Sequence, residues 1–289
     1  MGQPSDGDGS GLADWRRLPR SGRRMLASGA RSFAENDLLS YASAIAFQVL
    51  FALIPLALAA VALLGFLNLE EVWDSDLAPA VQDRVQEDAF SVIDRTAGEI
   101  LGEKRGLWLT LGAAFALWQV SGAIRAAMTP LNLIYGAEER RSWWGRLLAS
   151  FGLALAIGPL VVGAALLVQA GPRLVGALDL PAAAAALAHV ARWGLALVFL
   201  AAAVWLLIRY ATANPQPIAW TGIGTVFVVV AWLAASFGFG LYATYVADYG
   251  SVFGGLATVY VLLTYLYLSA LALLFGIQLD ACVREEAKG

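Results

Sequence analysis

Six long runs of mostly apolar residues, bounded by charged or turn residues, dominate the sequence. A helix needs about 20 such residues to cross about 30 Å of hydrocarbon, and each run is about that long. Helices satisfy their own backbone hydrogen bonds in lipid, and the runs lack the alternating pattern of barrel strands. The pattern therefore predicts an all-α polytopic membrane protein with six transmembrane helices, at residues 44–67, 107–128, 147–170, 190–208, 218–246 and 254–279.

The polar segments predict the rest of the organisation. Residues 1–22 are polar, with no apolar core of their own, which predicts a disordered cytoplasmic tail and no cleavable signal peptide. Apolar residues recur between arginines in residues 23–43, which predicts an amphipathic helix that lies on the inner membrane surface or packs on the bundle. We expect residues 23–282 to form one membrane domain and residues 283–289 a second cytoplasmic tail.

The first outside connection, residues 68–106, is the only sizeable predicted extramembrane piece, and it is acidic. Its apolar residues recur at helical spacing, which predicts one or two amphipathic helices resting on the outer mouth of the bundle. Such a segment is either a lid, a vestibule that attracts cations, or a solvated surface. The residues that carry the spacing are Val81, Val85, Ala89, Val92 or Ile93, Thr96 and Ile100.

The distribution of positive charge predicts the orientation. Lysine and arginine residues concentrate in the N-terminal segment, the second and fourth connections and the C-terminal tail, which places these parts on the cytoplasmic side. Tryptophan and tyrosine residues fall near both predicted interfaces, as an aromatic belt requires. Both termini are therefore predicted to be cytoplasmic.

Composition agrees with a membrane protein and excludes several kinds of site. Of 289 residues, 60% are hydrophobic and 14% are charged, against about a quarter charged in a soluble domain. One histidine and one cysteine leave little material for a metal site, a Ser-His-Asp triad or a disulfide framework. We expect no enzymatic activity, cofactor or metal, and no Walker motif for ATP is present.

The sixth run carries an unusual number of hydroxyl groups. They fall on two stripes on roughly opposite faces of a helix, the first with Tyr260, Thr264 and Tyr267, the second with Thr258, Tyr265 and Ser269. A buried hydroxyl without a hydrogen bond costs about 1–3 kcal/mol, so these groups need partners at mid-bilayer depth. The pattern predicts a central helix with protein or water on two sides.

Polar residues on the first two runs extend this pattern. Gln48 shares a stripe of small residues with Tyr41 and Pro55, and Gln119 lies in a small-residue seam of the second run. Two interpretations stay open, helix packing through interhelical hydrogen bonds or a polar cavity that admits a substrate. The candidates for lining a cavity are Tyr41, Gln48, Gln119, Arg125, Tyr265 and Tyr267.

Charged residues at the ends of the runs have simpler interpretations. Arg125 lies near the predicted inner end of the second run, where an arginine either snorkels to headgroups or binds a substrate phosphate or carboxylate. Asp37 and Asp280 lie near inner helix ends, and solvation at a helix end explains both.

Three stretches stand out for their motifs: DLLSYASAIAFQVLFALIP at residues 37–55, LNLIYGAEERRSWW at residues 131–144, and YGS at residues 249–251 followed by LYLSALALLFGIQLD at residues 266–280. In this order they resemble the YihY/virulence factor BrkB family of bacterial inner-membrane proteins. The resemblance implies a multi-pass protein of the bacterial inner membrane with six helices, linked to serum resistance or to the movement of lipids or other amphiphiles. Its members were once labelled ribonuclease BN, a label that a single histidine does not support.

The residues that the resemblance singles out receive mostly structural roles. We expect Pro55 to bend the first helix, Gly250 to permit a tight turn, and Asn132 to cap backbone groups. We expect Glu139 and Arg141 to pair at the inner surface. Gln48 and Asp280 depart from the aromatic residue and the asparagine expected in relatives. The full set is Asp37, Tyr41, Pro55, Asn132, Tyr135, Glu139, Arg141, Tyr249, Gly250, Tyr267 and Gly276.

Two function classes remain. The first is a transporter or flippase-like protein for a lipid or other amphiphile, driven by a gradient or passive, with a polar-lined interior. The second is a non-transporting scaffold or envelope regulator, in which the polar stripes only lock helices together. Membrane lipids, a second copy of the chain and an envelope protein are the partners left open, and no nucleic acid is expected.

Overall fold

The computed structural model describes residues 33, 35–68, 70–82, 87–101, 105–169, 171–177, 181–214, 218–245 and 255–288. Within these residues the chain is helical and contains no strand. The helices are α1 (Leu38–Phe66), α2 (Glu70–Val72), a π-helical turn (Trp73–Leu77), α3 (Ala78–Gln82), α4 (Glu87–Leu101), α5 (Arg105–Ile134), α6 (Trp143–Gln169), α7 (Gly171–Ala177), α8 (Ala182–Ala211), α9 (Ile218–Tyr245) and α10 (Gly255–Lys288).

Each predicted apolar run falls in one of the long helices, and five of these helices are long and apolar enough to cross a membrane. They are α1, α6, α8, α9 and α10. Helix α5 has 30 residues, and Gln119 and Arg125 interrupt its apolar sequence. The protein is therefore membrane-embedded, while the count of six spans and the orientation of the termini stay predictions.

Several helices extend beyond the apolar runs at their polar ends. Helix α1 begins at Leu38, six residues before the predicted run, and α10 continues to Lys288. Helix α5 runs through Pro130 to Ile134. Hydropathy marks the part of a helix that lies in lipid, whereas the helical backbone hydrogen bonds continue into polar sequence until a turn ends the helix. The helix ends were therefore predicted less accurately than the helix centres.

The six long helices form a closed ring. Each of α1, α5, α6, α8, α9 and α10 packs against the next long helix in the chain, and α10 packs against α1 to close the ring. Weaker contacts of α5 with α8 and with α10 cross the ring. Helix α10 thus has protein on two sides, as its two hydroxyl stripes predict.

One end of the ring is tightly packed, and we call it the closed end. The main core cluster includes Leu38 at the start of α1, Leu131 and Ile208 near the ends of α5 and α8, and Ile277 in the second half of α10. Among the residues described, no buried side chain follows Ala154 on α6 or Val228 on α9, and none precedes Ala270 on α10. We call this sparsely packed remainder the open half.

Close contact between α9 and α10 at the closed end depends on a glycine. A Cβ atom at Gly276 would lie 2.6 Å from the Cα atom of Val228, which is closer than real Cβ contacts come. Only glycine allows the two backbones to approach this far. Gly276 therefore fixes the distance between the last two helices.

The predicted helical connection after the first run exists, but it buries different residues than expected. Trp73, Ala97 and Leu101 form a small core with the C-terminal part of α1, and the indole Nε1 of Trp73 donates to Asp94 Oδ1 at 3.1 Å. Ile100 is buried as predicted, whereas Val92 and Ile93 are exposed. Helix α4 packs with the face that meets Trp73. Its buried stripe is therefore rotated around the helix axis relative to the predicted stripe.

The predicted N-terminal tail lies outside the described residues, as do residues 23–32 and 34 of the predicted amphipathic helix, whereas residues 38–43 of that segment are the start of α1. Phe33 lies before α1 and contacts the bundle. It is half-buried against the core cluster, and its ring meets the ring of Phe275 edge-on at 6.1 Å. The division of the chain into a membrane domain and two tails stays a prediction.

Candidate functional site

A loop at the closed end joins α5 to α8 through an ion pair and an amide. Glu139 accepts hydrogen bonds from Arg141 Nε at 2.9 Å and from Asn132 Nδ2 at 3.0 Å. Arg141 Nη2 also donates to the carbonyl oxygen of Ala211 at 2.8 Å, and Asn132 Oδ1 accepts from the backbone N–H of Ala213 at 2.7 Å. The predicted pairing of Glu139 with Arg141 is confirmed, and Asn132 satisfies a backbone N–H just after the end of α8.

The hydrogen bonds from Arg141 hold the pKa of Glu139 below its ordinary value, and the bond from Asn132 acts in the same direction. Glu139 therefore stays ionised at neutral pH. An ionised carboxylate that accepts several charged or polar donors binds them more strongly than a neutral acid would. This loop acts as a clamp between two helix ends.

A second cluster at the closed end joins α10 to the end of α5. The Tyr135 hydroxyl donates to Asp280 Oδ2 at 2.8 Å, and Arg284 pairs with the same oxygen. The guanidinium carbon of Arg284 lies 4.8 Å from the centroid of the Tyr135 ring. Burial raises the pKa of the Tyr135 hydroxyl, and the charge of Asp280 adds to the effect, so this hydroxyl keeps its proton and acts as a donor.

The prediction that solvation at a helix end explains Asp280 is wrong. Helix α10 continues eight residues beyond Asp280, to Lys288, and the Asp280 side chain is fully buried. A buried carboxylate needs partners, and Tyr135 and Arg284 supply them. For Asp37 the prediction fits, since this residue is exposed before the first turn of α1 and accepts a hydrogen bond from Ser40 Oγ at 3.0 Å.

A third polar cluster lies farther from the helix ends, between α1, α5 and α6. Arg125 Nη1 donates to Ser121 Oγ at 2.8 Å on its own helix and to Ser150 Oγ at 3.0 Å on α6. Its guanidinium lies 5.6 Å from the ring centroid of Trp118. A Cβ atom at Gly122 would clash with Nε2 of Gln48 and lie 3.6 Å from Nη2 of Arg125. Gln48 and Arg125 thus converge on one point of α5.

The second hydroxyl stripe of α10 faces α9. The hydroxyl groups of Tyr265 and Ser236 lie 3.2 Å apart in a hydrogen bond, and the indole Nε1 of Trp232 donates to Ser269 Oγ at 3.2 Å. The Tyr265 ring also packs 5.4 Å from the ring of Phe239. The prediction that these hydroxyls have protein partners is confirmed, and Tyr265 serves helix packing.

The first stripe of α10 faces α1 and lines a groove of about 660 Å³ between these two helices. We call it the α1–α10 groove. Ligand pockets typically measure about 300–1,000 Å³, so its size suits a small molecule or part of a lipid. Its lining residues are Ser43, Ala44, Ala46, Phe47, Tyr260, Leu263, Thr264 and Tyr267.

A smaller groove of about 430 Å³ lies on the other side of α10, against α9. Tyr260 and Thr264 line both grooves, so the first half of α10 separates them. The Thr264 hydroxyl donates to the carbonyl oxygen of Tyr260 at 2.8 Å and therefore presents an acceptor to its surroundings. The Tyr267 hydroxyl has no hydrogen-bond partner among the described residues.

The remaining predicted residues take mainly structural positions. Tyr41 is half-buried against the core cluster, and Pro55 is buried inside α1. Gln119 is half-buried in α5, and a Cβ atom at Gly112 of this helix would lie 3.4 Å from the Cα atom of Ala59, so the small-residue seam of α5 faces α1. Tyr249 and Gly250 lie outside the described residues. The structure thus joins Gln48 with Arg125, and it places Tyr267 in the groove and Tyr265 outside it.

Sequence reasoning missed Ser150 and Arg284. The partner of Ser150 is Arg125, which lies 25 residues earlier on another helix, and no local pattern connects the two. A signal for the Arg125 cluster did exist within α5, because Ser121 stands four residues before Arg125 on the same face. The i,i+4 spacing of Asp280 and Arg284 was a similar signal.

Long apolar helices in a closed ring, with polar clusters between them, define a polytopic α-helical membrane protein. Comparison with known proteins gives the family. The chain belongs to the virulence factor BrkB family, whose sequence profile matches residues 30–289. The motifs at residues 37–55, 131–144 and 266–280 all lie within this match.

Two curated relatives match over most of this chain. The ribonuclease-like protein YfkH of Bacillus subtilis is 25% identical over 256 residues, which cover 86% of this chain and 91% of YfkH. A UPF0761 membrane protein of Rhodospirillum centenum is 28% identical over 268 residues, which cover 89% of this chain and 56% of that protein. This chain therefore spans little more than half the length of the second relative. No solved structure matches.

Proposed function

We propose that the protein moves a lipid or another amphiphile through the α1–α10 groove. The polar head enters along the hydroxyl stripe of α10, while the acyl chains stay in the surrounding lipid. The closed end is packed across the ring, so the path we propose opens laterally between helices and does not run through the ring centre. A gradient or simple exchange drives the movement, since the sequence contains no Walker motif.

The observation that carries this proposal is the placement of Tyr267. It lies 12 residues from the first residue of α10, which is about 18 Å along the helix and near the middle of a hydrocarbon layer about 30 Å thick. It lines the groove, and its hydroxyl has no hydrogen-bond partner in the described part of the chain. An unpaired hydroxyl at this depth costs about 1–3 kcal/mol, which a lipid headgroup in the groove would offset.

The test is lipid movement in vesicles that contain the purified full-length protein. A fluorescent phospholipid is placed in both leaflets, and a membrane-impermeant reductant bleaches the outer one. The proposal expects the protected fluorescence to decay much faster than in protein-free vesicles. Ala44→Trp, which fills the groove, should slow this decay about tenfold, the factor given by about 1.4 kcal/mol of added barrier.

The matched control is Ala57→Trp, at another exposed alanine of α1 that is not among the groove-lining residues. It should leave the rate close to that of the unmodified protein. Equal slowing by both substitutions would show that the groove is not the path. A protein that produces no acceleration at all is not a lipid transporter under these conditions.

A second candidate function, a non-transporting scaffold, has its own support in the α9–α10 contact. The Ser236–Tyr265 and Trp232–Ser269 hydrogen bonds lock these helices together, as helix packing alone requires. A scaffold predicts no lipid movement in vesicles and a cellular phenotype that Ala44→Trp leaves unchanged. The same pair of alanine substitutions therefore separates the two functions.

A further inference from the structure

The Arg125 side chain points toward the middle of the membrane domain, which contradicts snorkelling to the near headgroups. Arg125 lies nine residues before the end of α5 at Ile134, or about 14 Å from the closed end. Its hydrogen-bond partner Ser121 is one turn farther from that end, and Trp118, over which the guanidinium lies, is nearly two turns farther. Helical side chains lean toward the helix N-terminus, which on α5 is the opposite end of the bundle.

The positive charge of Arg125 has no carboxylate partner among the residues that the structure describes. Its contacts are two serine hydroxyls and an indole ring, all of them neutral. The ion pairs found in the described ranges join other arginines to Glu138, Glu139 and Asp280. A charge held in a membrane without a counterion is costly, and such residues mark functional sites.

The two serines orient the guanidinium and leave its other edge available. Each serine hydroxyl donates its own proton to a backbone carbonyl oxygen, Ser121 to Trp118 at 2.7 Å and Ser150 to Leu147 at 2.7 Å. Both oxygens therefore act only as acceptors toward Arg125 Nη1. The Nε and Nη2 donors of Arg125 have no hydrogen-bond partner among the described residues. Together they form the edge that binds a carboxylate or phosphate in a bidentate manner.

Gln48 adds an amide beside this edge. Its Nε2 atom and Arg125 Nη2 both lie within 4 Å of the position that a Cβ atom would take at Gly122. The glycine is what allows the amide to reach the backbone of α5 at this place. A polar amide next to a guanidinium gives an anion one more donor from a second helix.

We propose that Arg125 and Gln48 bind the anionic head of an amphiphile, a phosphate or carboxylate group, between α1, α5 and α6. The site gives the transported substrate its class, an anionic lipid-like molecule, and this role rests on the proposed function. The binding itself does not depend on transport. Ser121 and Ser150 are positioning residues, because they hold the guanidinium and do not contact the anion.

The experiment measures binding of phosphatidylglycerol, phosphatidylcholine and inorganic phosphate to the full-length protein in neutral detergent, by native mass spectrometry and by thermal shift. We expect saturable binding of phosphatidylglycerol and at least about tenfold weaker binding of phosphatidylcholine. Arg125→Gln should weaken phosphatidylglycerol binding about tenfold to a hundredfold, the range for losing hydrogen bonds from a charged donor. Gln48→Leu should weaken it by a smaller factor, about fivefold.

The control is Arg192→Gln. Arg192 is also half-buried, donates to a neutral backbone carbonyl, that of Val168, and lies 5.5 Å from a tryptophan ring. It stands on α8, 19 residues before Ala211, in the other half of the bundle. Arg192→Gln should bind phosphatidylglycerol with an affinity within about twofold of that of the unmodified protein. Arg125→Lys keeps the charge and should bind with intermediate affinity, which covers the case in which Arg125→Gln does not fold.

Three results would overturn the proposal. They are unchanged phosphatidylglycerol binding in Arg125→Gln, equal weakening by Arg192→Gln, and equal affinity for phosphatidylcholine. Inorganic phosphate that competes as strongly as phosphatidylglycerol would overturn the assignment to an amphiphile. The binding assay needs no vesicles, so the two proposals can fail separately. Selective binding without lipid movement would refute the proposed function and support the anion site. Lipid movement without selective binding would support the proposed function and refute the anion site.

Discussion

At the closed end, charged groups and an amide tie α5, α8 and α10 together, whereas in the open half α10 is joined to α9 by single hydrogen bonds to hydroxyl groups. Asp280 and Glu139 each receive at least two donors, from residues on different segments. The groove-lining part of α10 contributes Thr264, which bonds within its own helix, and Tyr267, which has no hydrogen-bond partner among the described residues. The contrast separates a part of the protein built for rigidity from one that leaves space between helices.

The largest expected effect comes from breaking the buried ion pair at the closed end. Asp280→Ala leaves Arg284 without its carboxylate and Tyr135 without its acceptor, which should lower the free energy of unfolding by about 3–5 kcal/mol. Glu138→Ala breaks the Glu138–Arg140 pair, whose side chains are over 80% exposed, and should change almost nothing. Unfolding in mixed micelles with increasing denaturing detergent measures both. Similar losses in the two variants would mean that burial does not set the strength of these pairs.

A smaller loss should follow from crowding α9 against α10. Gly276→Ala places a Cβ atom 2.6 Å from the Cα of Val228 and should cost about 1–3 kcal/mol, because two backbones must move apart. The matched substitution is Gly152→Ala on α6, where a Cβ would meet no atom within 4 Å. That variant should be as stable as the unmodified protein or slightly more so, since alanine favours helix. If Gly276→Ala is equally well tolerated, the close contact is not required.

In the open half we expect activity and stability to respond separately. Tyr267→Phe should slow lipid movement about fivefold, the value of one hydrogen bond of about 1 kcal/mol, with little change in unfolding. Tyr265→Phe removes the bond to Ser236 and should lower the free energy of unfolding by about 1 kcal/mol with little change in transport. The two variants differ only in the face of α10 that loses a hydroxyl. If instead Tyr265→Phe slows lipid movement and Tyr267→Phe lowers the free energy of unfolding, the path lies between α9 and α10.

The smallest effect we predict depends on pH. The pKa of Glu139 is lowered in the folded protein, so its contribution to stability is complete above the ordinary value of 4.5 and is lost as the pH falls through the folded value. Glu139→Gln should therefore reduce stability by about 1 kcal/mol at neutral pH, and by less as the solution becomes more acidic. Melting curves across the acidic range provide the measurement. If the stability difference between the unmodified protein and Glu139→Gln grows as the pH falls, the ionised Glu139 carboxylate does not stabilise this loop.

Much of the fold was predictable because the placement of apolar side chains in lipid largely decides where membrane helices lie. The apolar runs identified the centres of the six long helices, and the hydroxyl stripes predicted that α10 has protein on two sides. The helix ends were not predictable to the same accuracy, because α1 and α10 continue as helix into polar sequence. Hydropathy carries no information about such extensions.

The polar clusters show where local patterns stop being sufficient. Tyr135 and Asp280 are 145 residues apart, and nothing in the sequence near either residue indicates the other. The direction of Arg125 was available from helix geometry, since side chains lean toward the N-terminus and Ser121 stands one turn in that direction. The contact with Ser150 required the packing of α5 against α6, which only the fold supplies.

The most direct test of the central claim asks whether a lipid headgroup reaches the middle of the membrane domain. A phospholipid with a photoreactive group on its headgroup is incorporated with the full-length protein into vesicles, illuminated, and the cross-linked peptides are mapped. The account predicts cross-links at Thr264 and Tyr267 in the α1–α10 groove, in addition to those at exposed aromatic residues near helix ends such as Trp143 and Trp144. Cross-links confined to the helix ends, with none between residues 260 and 267, would contradict it.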